Sequence, residues 1–363
     1  MKFKSVLLLG LGLGSLASSA VAQMPEPMPA HVQKFLQQQV GSWDCTVQVM
    51  TLPDAPPLEF KGVMNCEMVL GNQFLMQEFY AKMPETFGGG VFEGYGLDGW
   101  EHQRRTSVGV WMESTPNTVF EANNGEVSED GMNRISFIEA VDPLTGAKVK
   151  KKGVHRLNGQ DEMTYTESSM DENGEEAVSL NILFQRRKEA AKWEKAKSFV
   201  APDAGVKKFL EHSLGRWKTN MAINPAGTDM EFMIEGETHF QLVCQGRYVL
   251  GHFRGRMPQE FGGMPYEGFS FDVANGEERG LSGMWIDSQP GNGLNLWKGQ
   301  VTKDGKVAHS KYEPREGAPG RRGEYYLDGP TKMRYLGFVA HGEEGDHLEM
   351  TATYERLPEK AKF

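Results

Sequence analysis

The sequence predicts an all-β protein of two tandem antiparallel up-and-down β-barrels, each of about ten strands with a short N-terminal helix. Three observations predict it: a phrase that the chain repeats, alternating apolar and polar residues over most of its length, and frequent turn signals. An up-and-down sheet of this length must close or split, because open edges expose unpaired backbone groups. A closed barrel with the helix at one end meets that requirement.

The repeat is long and keeps a constant offset in residue number. The phrase "MPETFGGGVFEGYGLD" begins at Met83, and "MPQEFGGMPYEGFSFD" begins at Met257, which is an offset of 174. The earlier segments "KFLQQQVGSW" and "KFLEHSLGRW" have the same offset. Near the end of each copy the offset falls to 170, so that Arg186 matches Arg356. Two domains of roughly 155 residues each follow from this repeat.

The repeat and the composition between its copies set the expected domain boundaries. The segment before the first copy is apolar and then rich in proline, and the segment between the copies reads as a short connector. In chain order we expect a signal peptide (1–22), a flexible arm (23–29), the first barrel (30–188), a connector (189–203), the second barrel (204–358) and a tail (359–363).

The N-terminal segment, 1–22, predicts export. Lys2 and Lys4 precede an apolar stretch that is too short and too rich in glycine for a membrane span, and an A-x-A cleavage signal ends at Ala22. We therefore expect a secretory signal peptide and a mature protein in the periplasm or outside the cell. We expect no integral membrane segment.

Each copy begins with a short amphipathic helix and then a tryptophan. Asp203 is placed to cap the second helix, and Pro202 blocks helix before it. We expect Trp43 and Trp217, which follow the helices, to plug the barrel floors. The apolar residues at helical spacing are Val32, Phe35, Leu36 and Val40 in the first copy, and Val206, Phe209, Leu210 and Leu214 in the second.

The order of motifs in each copy resembles that of a protein family. A helix, then "LGRW", then F-G-G-x-x-x-E-G-x-x-x-D, then "WIDS" is similar to the bacterial domain-of-unknown-function family numbered 1579. That family is similar to the calycins, the lipocalin-like barrels. The resemblance covers nearly all of both copies. It implies a calycin-like fold and no particular reaction.

A carboxylate recurs inside the repeated phrase, as Glu93 and Glu267. Apolar residues alternate with it, among them Tyr95 in the first copy and Phe269 in the second. This apolar company predicts that the carboxylates face the barrel interior. A buried acid needs a partner, since an unpaired buried charge costs several kcal/mol.

Arg105 and Arg279, on the following strand, are the expected partners of these carboxylates. The pairs could be polar anchors in a ligand cavity or solvated pairs at the barrel mouth, and both interpretations stay open. The candidate ligand-binding residues are Glu93, Tyr95, Arg105, Trp111, Glu267, Phe269, Arg279 and Trp285.

Two Trp–acid pairs lie on the strand after the repeated phrase. Glu113 follows Trp111 by two residues, and Asp287 follows Trp285 by two, so each pair shares one strand face. Whether that face is the lumen or the exterior stays open, because the preceding loop leaves the register undefined.

The glycines of the phrase are expected to serve a strand connection. Gly88 and Gly262 follow one strand and precede another, where glycine permits a positive φ. A phosphate cradle would need a helix after the glycines, and a strand follows instead.

A disulfide between Cys45 and Cys66 is expected in the first barrel. Placing the turn at Ala55–Pro56 sets the two residues opposite each other on one face, and an exported protein can form the bridge. The alternative, two reduced thiols in contact, stays open. Cys244 has no partner and is expected to be a buried free thiol.

Charge and histidine placement exclude several functions. The formal net charge is −10, which opposes nucleic acid and anionic membranes as partners. None of the nine His residues falls on a His of the other copy, so the copies share no Ser-His-Asp triad, His₃ zinc site or proximal-His haem site. We expect no cofactor and no metal, and the oligomeric state does not follow from the sequence.

Three functions compete. The first is binding of a small, largely apolar ligand in a calycin-like cavity. The second is a structural, partner-binding envelope protein with filled barrels. The third is an enzyme that uses an inward glutamate as an acid or base. A cavity of several hundred Å³ would favour binding, and a solidly packed lumen would favour the structural role.

Overall fold

The computed structural model describes residues 27–50, 56–102, 104–115, 119–141, 148–170, 175–200, 203–225, 228, 230–289, 293–314, 319–340 and 345–358. It contains two closed antiparallel barrels of ten strands each, which confirms the predicted fold class. The expected signal peptide, most of the arm and the tail lie outside the described residues.

The first barrel follows a short helix. Its elements are α1 (Ala30–Gln38), β1 (Gly41–Val49), β2 (Leu58–Val69), β3 (Phe74–Lys82), β4 (Val91–Glu101), β5 (Thr106–Glu113), β6 (Glu121–Val127), β7 (Asn133–Val141), β8 (Lys148–Leu157), β9 (Glu162–Met170) and β10 (Glu176–Arg187). Each strand pairs with its neighbour in sequence, and β10 pairs with β1 to close the barrel.

The second barrel repeats this plan. Its elements are α2 (Ala204–Ser213), β11 (Gly215–Ile223), β12 (Phe232–Val243), β13 (Tyr248–Arg256), β14 (Pro265–Ala274), β15 (Gly280–Asp287), β16 (Asn295–Val301), β17 (Val307–Tyr312), β18 (Arg321–Leu327), β19 (Lys332–Ala340) and β20 (Asp346–Arg356). Here β20 closes the barrel against β11.

The chain divides into two compact units, one for each barrel. The first contains Pro27–Ala196 together with Val243–Gly246, and the second contains Lys197–Leu242 together with Arg247–Phe363. Residues 188–200, between the barrels in sequence, form neither helix nor strand, although their composition favours helix. Our domain boundaries stay predictions.

Both N-terminal helices bury the predicted face. Val32, Phe35 and Leu36 of α1 are buried, whereas Val40, beyond the helix, is 39% exposed. In α2, the Asp203 carboxylate accepts hydrogen bonds from the N–H groups of residues 205 and 206, which confirms the predicted N-cap.

A tryptophan and an arginine join α1 to the two strands that close the first barrel. The Trp43 indole N–H donates to the carbonyl oxygen of Gln39 at 2.9 Å. The Arg186 guanidinium lies 4.1 Å from the Trp43 ring centroid and donates to the carbonyl oxygens of Gln38 (2.8 Å) and Val40 (2.7 Å). A helix leaves its last carbonyls without partners, and Arg186 supplies donors for them.

The second barrel contains the same arrangement. The Trp217 indole donates to the carbonyl of Ser213 at 2.6 Å, and the Arg356 guanidinium lies 4.2 Å from the Trp217 ring. Arg356 donates to the carbonyls of His212 and Leu214. The predicted structural role of both tryptophans is confirmed, and we call this arrangement of tryptophan, arginine and helix end the Trp–Arg clamp.

The repeated glycines serve a strand connection, as expected. A one-turn 3₁₀ helix follows β3 and another follows β13, and each ends at a glycine with a left-handed backbone, Gly88 (φ 84°) and Gly262 (φ 88°). A strand begins within a few residues of each glycine. This connection therefore contains no phosphate cradle of the helix N-terminal kind.

The predicted Cys45–Cys66 disulfide is wrong. Both thiols are free and buried, and Cys45 pairs with Gly62, whereas Cys66 pairs with Gly41. In this register the partner of Cys45 lies four positions from Cys66, about 13 Å along β2. Cys244 is a buried free thiol, as predicted.

We expect Arg186→Gln to lower the free energy of unfolding by about 2–4 kcal/mol, because helix carbonyls lose charged donors and Trp43 loses a cation–π contact. Urea unfolding checks this. The matched control is Arg187→Gln, which removes only an exposed ion pair with Asp44 and should cost less than about 1 kcal/mol. Equal losses in the two variants would contradict a role for the Trp–Arg clamp.

Candidate functional site

The side chains of β4 and β5 show which strand face looks into the first barrel. Phe92, Trp100 and Trp111 pack against the core that α1 covers. A Cβ atom added to Gly94 would lie 2.3 Å from the Trp111 ring. The even-numbered residues of β4 therefore face the lumen, and Trp111 faces it from β5.

The second barrel has the same facing. Tyr266 of β14 belongs to the lumen core, and Trp285 packs against that core. A Cβ atom added to Gly268 would lie 2.5 Å from the Trp285 ring. The open question about the Trp–acid pairs is thus settled: both tryptophans face the lumen.

The predicted inward orientation of Glu93, Tyr95, Glu267 and Phe269 is wrong, because these odd-numbered residues lie on the outer faces of β4 and β14. The prediction relied on apolar company, and the outer faces are apolar and buried as well: Tyr95 is 0% exposed and Phe269 is 3% exposed. That these residues bind a ligand stays a prediction, without the inward facing that motivated it.

Glu93 is a buried carboxylate with protein partners. Its Oε1 accepts a hydrogen bond from the Trp193 indole at 3.2 Å and lies 3.8 Å from the Lys195 ammonium. The unit that contains Glu93 also contains residues 243–246, and there the backbone N–H (2.8 Å) and side-chain amide (3.1 Å) of Gln245 donate to Oε2. These donors satisfy Glu93 without a ligand.

Glu267 has different partners. Its carboxylate lies 2.7 Å from His252 Nε2 and 3.6 Å from Arg254 Nε. The His252 ring stacks on Phe269, with centroids 4.2 Å apart. A basic partner was predicted for this carboxylate, but not these two residues.

The predicted partners Arg105 and Arg279 lie elsewhere. Arg105 lies in the turn between β4 and β5 with a φ of 51°, and Arg279 lies in the turn between β14 and β15 with a φ of 54°. Glu93 is eight residues before the last residue of β4, about 27 Å along the strand. The Glu93–Arg105 and Glu267–Arg279 pairs therefore do not form, and binding by either arginine stays a prediction.

The second barrel contains a cavity of about 70 Å³ at the end away from α2. Ile223 lines it, six residues beyond Trp217 on β11. Aromatic rings and charged groups converge there from β15, β17, β18, β19 and β20. The lining includes Trp285, Asp287, Tyr312, Arg321, Tyr335 and Glu349.

Hydrogen bonds and an ion pair order the polar groups of this cavity. The Trp285 indole donates to Asp287 Oδ2 at 3.0 Å, and the hydroxyls of Tyr312 and Tyr335 lie 3.0 Å apart. Burial raises the pKa of the Tyr312 hydroxyl. The Arg321 guanidinium lies 3.2 Å from the carboxylate of Glu349.

The first barrel has a comparable polar cluster at the matching end. Trp111 donates to Glu113 at 3.0 Å, and the Lys151 ammonium lies 3.4 Å from Glu121 and 3.3 Å from Glu167. Burial alone would lower the pKa of Lys151, but the charges of Glu167 and Glu121 outweigh it and raise that pKa. Burial raises the pKa of Glu121, which Lys151 opposes. Lys151 corresponds to Arg321 at the offset of 170.

A second polar layer lies deeper in the first barrel. The Arg134 guanidinium is 3.1 Å from Asp98 Oδ1 and donates to Ser107 at 2.8 Å and also to Asn123. Gln77 donates to the other oxygen of Asp98 at 3.3 Å. Asp98 and Arg134 are almost buried, so the pair neutralises two charges inside the barrel.

The second barrel has the same acid in this layer but lacks the side chains that pair with it in the first barrel. Asp272 corresponds to Asp98, but Gly251 stands at the position of Gln77 and Ala308 at that of Arg134. Among the residues that the structure describes, none forms a hydrogen bond or ion pair with Asp272. Burial raises the pKa of Asp272 to about 7.

Sequence reasoning identified Trp285 and missed most of its neighbours. Asp272 ends the repeated phrase, as Asp98 does, and aligning the copies with the second offset pairs Lys151 with Arg321. Comparing ionisable residues across the copies could therefore have found the inward charges. The Asp98–Arg134 contact joins distant strands, and only the fold reveals it.

No group of three or more His, Cys, Asp or Glu side chains among the described residues is arranged to hold a metal ion. None of the described helices is both long enough and apolar enough to span a membrane.

One family model matches this chain, and its description is "Protein of unknown function (DUF1579)". It matches in tandem, over residues 27–186 and 204–326. These regions contain the helix, tryptophan, phrase and Trp–acid pair of each copy. No curated protein sequence matches the chain.

Several solved structures are similar to this chain, although their sequence identity to it is low. Rv2717c from M. tuberculosis is 17% identical, covers 45% of this chain and 100% of its own, and has a TM-score of 0.34. A protein of unknown function from the DUF3598 family of Nostoc punctiforme is 11% identical, covers 90% and 99%, and scores 0.28. The S-type phycobiliprotein lyase CPES from Guillardia theta is 14% identical, covers 43% and 94%, and scores 0.32. Similarities this weak carry no functional argument.

We expect Asp272→Asn to stabilise the protein above pH 7 and to have little effect below pH 4. The pKa of Asp272 rises from 3.8 in the unfolded chain to about 7 in the fold. Between those values the unfolded state binds fewer protons, so wild-type stability falls as the pH rises. Asparagine removes this fall, which amounts to about 4 kcal/mol at most.

Urea unfolding at pH 4 and pH 8 measures the effect as the difference between variant and wild type. The matched variant in the first barrel, Asp98→Asn, should instead destabilise at pH 8 by about 3 kcal/mol, because Arg134 stays buried without its partner. Destabilisation by both variants at pH 8 would contradict the difference between the barrels.

Proposed function

Because the chain belongs to the DUF1579 family of proteins of unknown function, whose model matches both copies, we propose a function from the geometry of the chain itself: the second barrel binds a small molecule at the end away from α2. One observation carries the proposal. A cavity lies there, and a tryptophan, three tyrosines, two arginines and two carboxylates line it. Ligand sites combine such aromatic walls with a few placed polar groups.

The size of the cavity limits the ligand. Its volume of about 70 Å³ is well below the roughly 300–1,000 Å³ of sites for drug-sized molecules. The ligand therefore has few non-hydrogen atoms, unless the cavity widens when it binds. The charged lining also narrows our first expectation of a largely apolar ligand to one that carries a polar or charged group.

We expect native mass spectrometry of the protein from its natural host to show a bound small molecule. Trp285→Phe should weaken retention of the adduct by about tenfold, since the variant removes the indole from the aromatic wall of the cavity. The matched control is Trp111→Phe, at the corresponding position of the first barrel, and it should retain the adduct. Loss in the control alone would move the site to the first barrel, and the absence of any adduct from folded protein would favour a structural role.

Export is part of the proposed function, because the N-terminal segment, 1–22, has the pattern of a signal peptide. We expect N-terminal sequencing of the protein from the periplasm or the medium to start at Gln23. Recovery of the intact N-terminus from the cytoplasm alone would contradict export. The control is the same chain without residues 2–22, which should remain inside the cell.

A further inference from the structure

Resting on the proposed function, we propose that the ligand of the second barrel is a small organic cation, an ammonium or guanidinium compound, and that the Asp272 carboxylate binds its charge. The proposal names the class of ligand that the second barrel binds. It also assigns a binding role to Asp272, which lies deeper in the lumen than the cavity does, in the layer that contains Asp98 and Arg134 in the first barrel. Asp272 faces this lumen from β14, because it lies on the same face of the strand as Tyr266, which belongs to the lumen core.

The first barrel contains an ion pair of the kind that we propose for the second. There the Asp98 carboxylate holds a guanidinium group inside the lumen, and that group belongs to Arg134 of the chain itself. The second barrel retains the acid as Asp272 and has Ala308 in place of the arginine. A ligand cation would restore the charge pair that the first barrel makes internally, and a buried carboxylate gains more from such a pair than an exposed one does.

Aromatic side chains share the lumen with the acid. Tyr354 belongs to the lumen core, and Tyr312 and Tyr325 pack against that core. Burial and then the charge of Asp272 raise the pKa of the Tyr354 hydroxyl, and Asp272 also contributes to the raised pKa values of Tyr312 and Tyr325. The Trp297 ring packs against Gly283, the residue paired with Asp272. Aromatic faces attract ammonium and guanidinium groups, most strongly where water is excluded.

Asp272 is largely but not completely buried, so a small part of its surface stays accessible. Tyr312 lines the cavity wall, and the charge of Asp272 contributes to the raised pKa of its hydroxyl. The acid and the cavity belong to one lumen, and the proposal requires the ligand to extend from one to the other.

The charges at the cavity favour a cation over an anion. Arg321 is paired with Glu349, and Arg322 is paired with Glu324 and Asp346. Protein carboxylates therefore neutralise both arginines, whereas Asp272 has no cationic partner among the described residues. Once ionised, Asp272 leaves the lumen with a negative charge that attracts cations.

Guanidinium chloride and urea at millimolar concentrations, far below denaturing conditions, provide the test with the full mature chain. Guanidinium and urea are planar and similar in size, and they differ in charge. Sodium acetate, which supplies a small anion, is the third probe. Binding is followed by the indole N–H signals of Trp285 and Trp297 in ¹H–¹⁵N spectra, which are assigned with Trp285→Phe and Trp297→Phe. We expect saturable shifts with guanidinium and binding of urea that is weaker by about tenfold or more.

The variant Asp272→Asn should weaken guanidinium binding by about tenfold or more and leave urea unaffected. The replacement is neutral and similar in shape, so it should fold. The control is Glu355→Gln, which changes an exposed acid on the outer face of the same barrel and should bind guanidinium as the wild type does.

The outcomes separate this inference from the proposed function. Saturable shifts with urea or acetate but not with guanidinium would overturn the cation and leave the small-molecule site intact. Guanidinium binding that Asp272→Asn does not weaken would overturn the role of Asp272. If none of the three probes shifts either indole signal, the cation and the small-molecule site are both overturned.

Discussion

A tryptophan ring packed against a glycine on the neighbouring strand decides which side chains enter each barrel. Trp111 leaves no room for a Cβ atom at Gly94, and Trp285 leaves none at Gly268. Because strand side chains alternate, this contact directs the preceding glutamate outward and the aspartate four residues after the glycine inward. The repeated phrase is therefore first a piece of architecture, and the lumen charges depend on the facing that it sets.

The fold could be read from the sequence because its signals are local and written twice. The constant offset predicted two similar domains, and the spacing of Phe35, Leu36 and their counterparts predicted the helices. The facing of Glu93 and Glu267 could not be read, because residues on both faces of these strands are apolar and the usual contrast between core and solvent is missing. The Cys45–Cys66 register failed for another reason, since a proline-rich loop does not define the centre of its turn.

The two barrels share a backbone plan and differ in how they neutralise charge inside it. In the first, buried acids are matched by Arg134 and Lys151 of the chain itself. In the second, the counterparts of Ser107 and Asn123 are Leu281 and Trp297, which cannot hydrogen-bond to an arginine as the originals do. Replacing the whole polar layer around a retained acid changes an internal ion pair into a carboxyl with an apolar neighbourhood. Such divergence between copies indicates different roles for the two lumens.

The Trp–Arg clamp has a consequence for how the chain folds during synthesis. Val40 and Arg186, which it joins, are 146 residues apart in sequence. A nascent first barrel thus has its helix and β1 long before the arginine and the closing strand emerge from the ribosome, and contacts between such distant residues form slowly. Through that interval the sheet has open edges, which invite pairing with other chains. Each barrel closes with its own ten strands, and the first does not need Arg356. The first barrel can therefore close before the second is synthesised, so the strands of only one barrel are unpaired at a time.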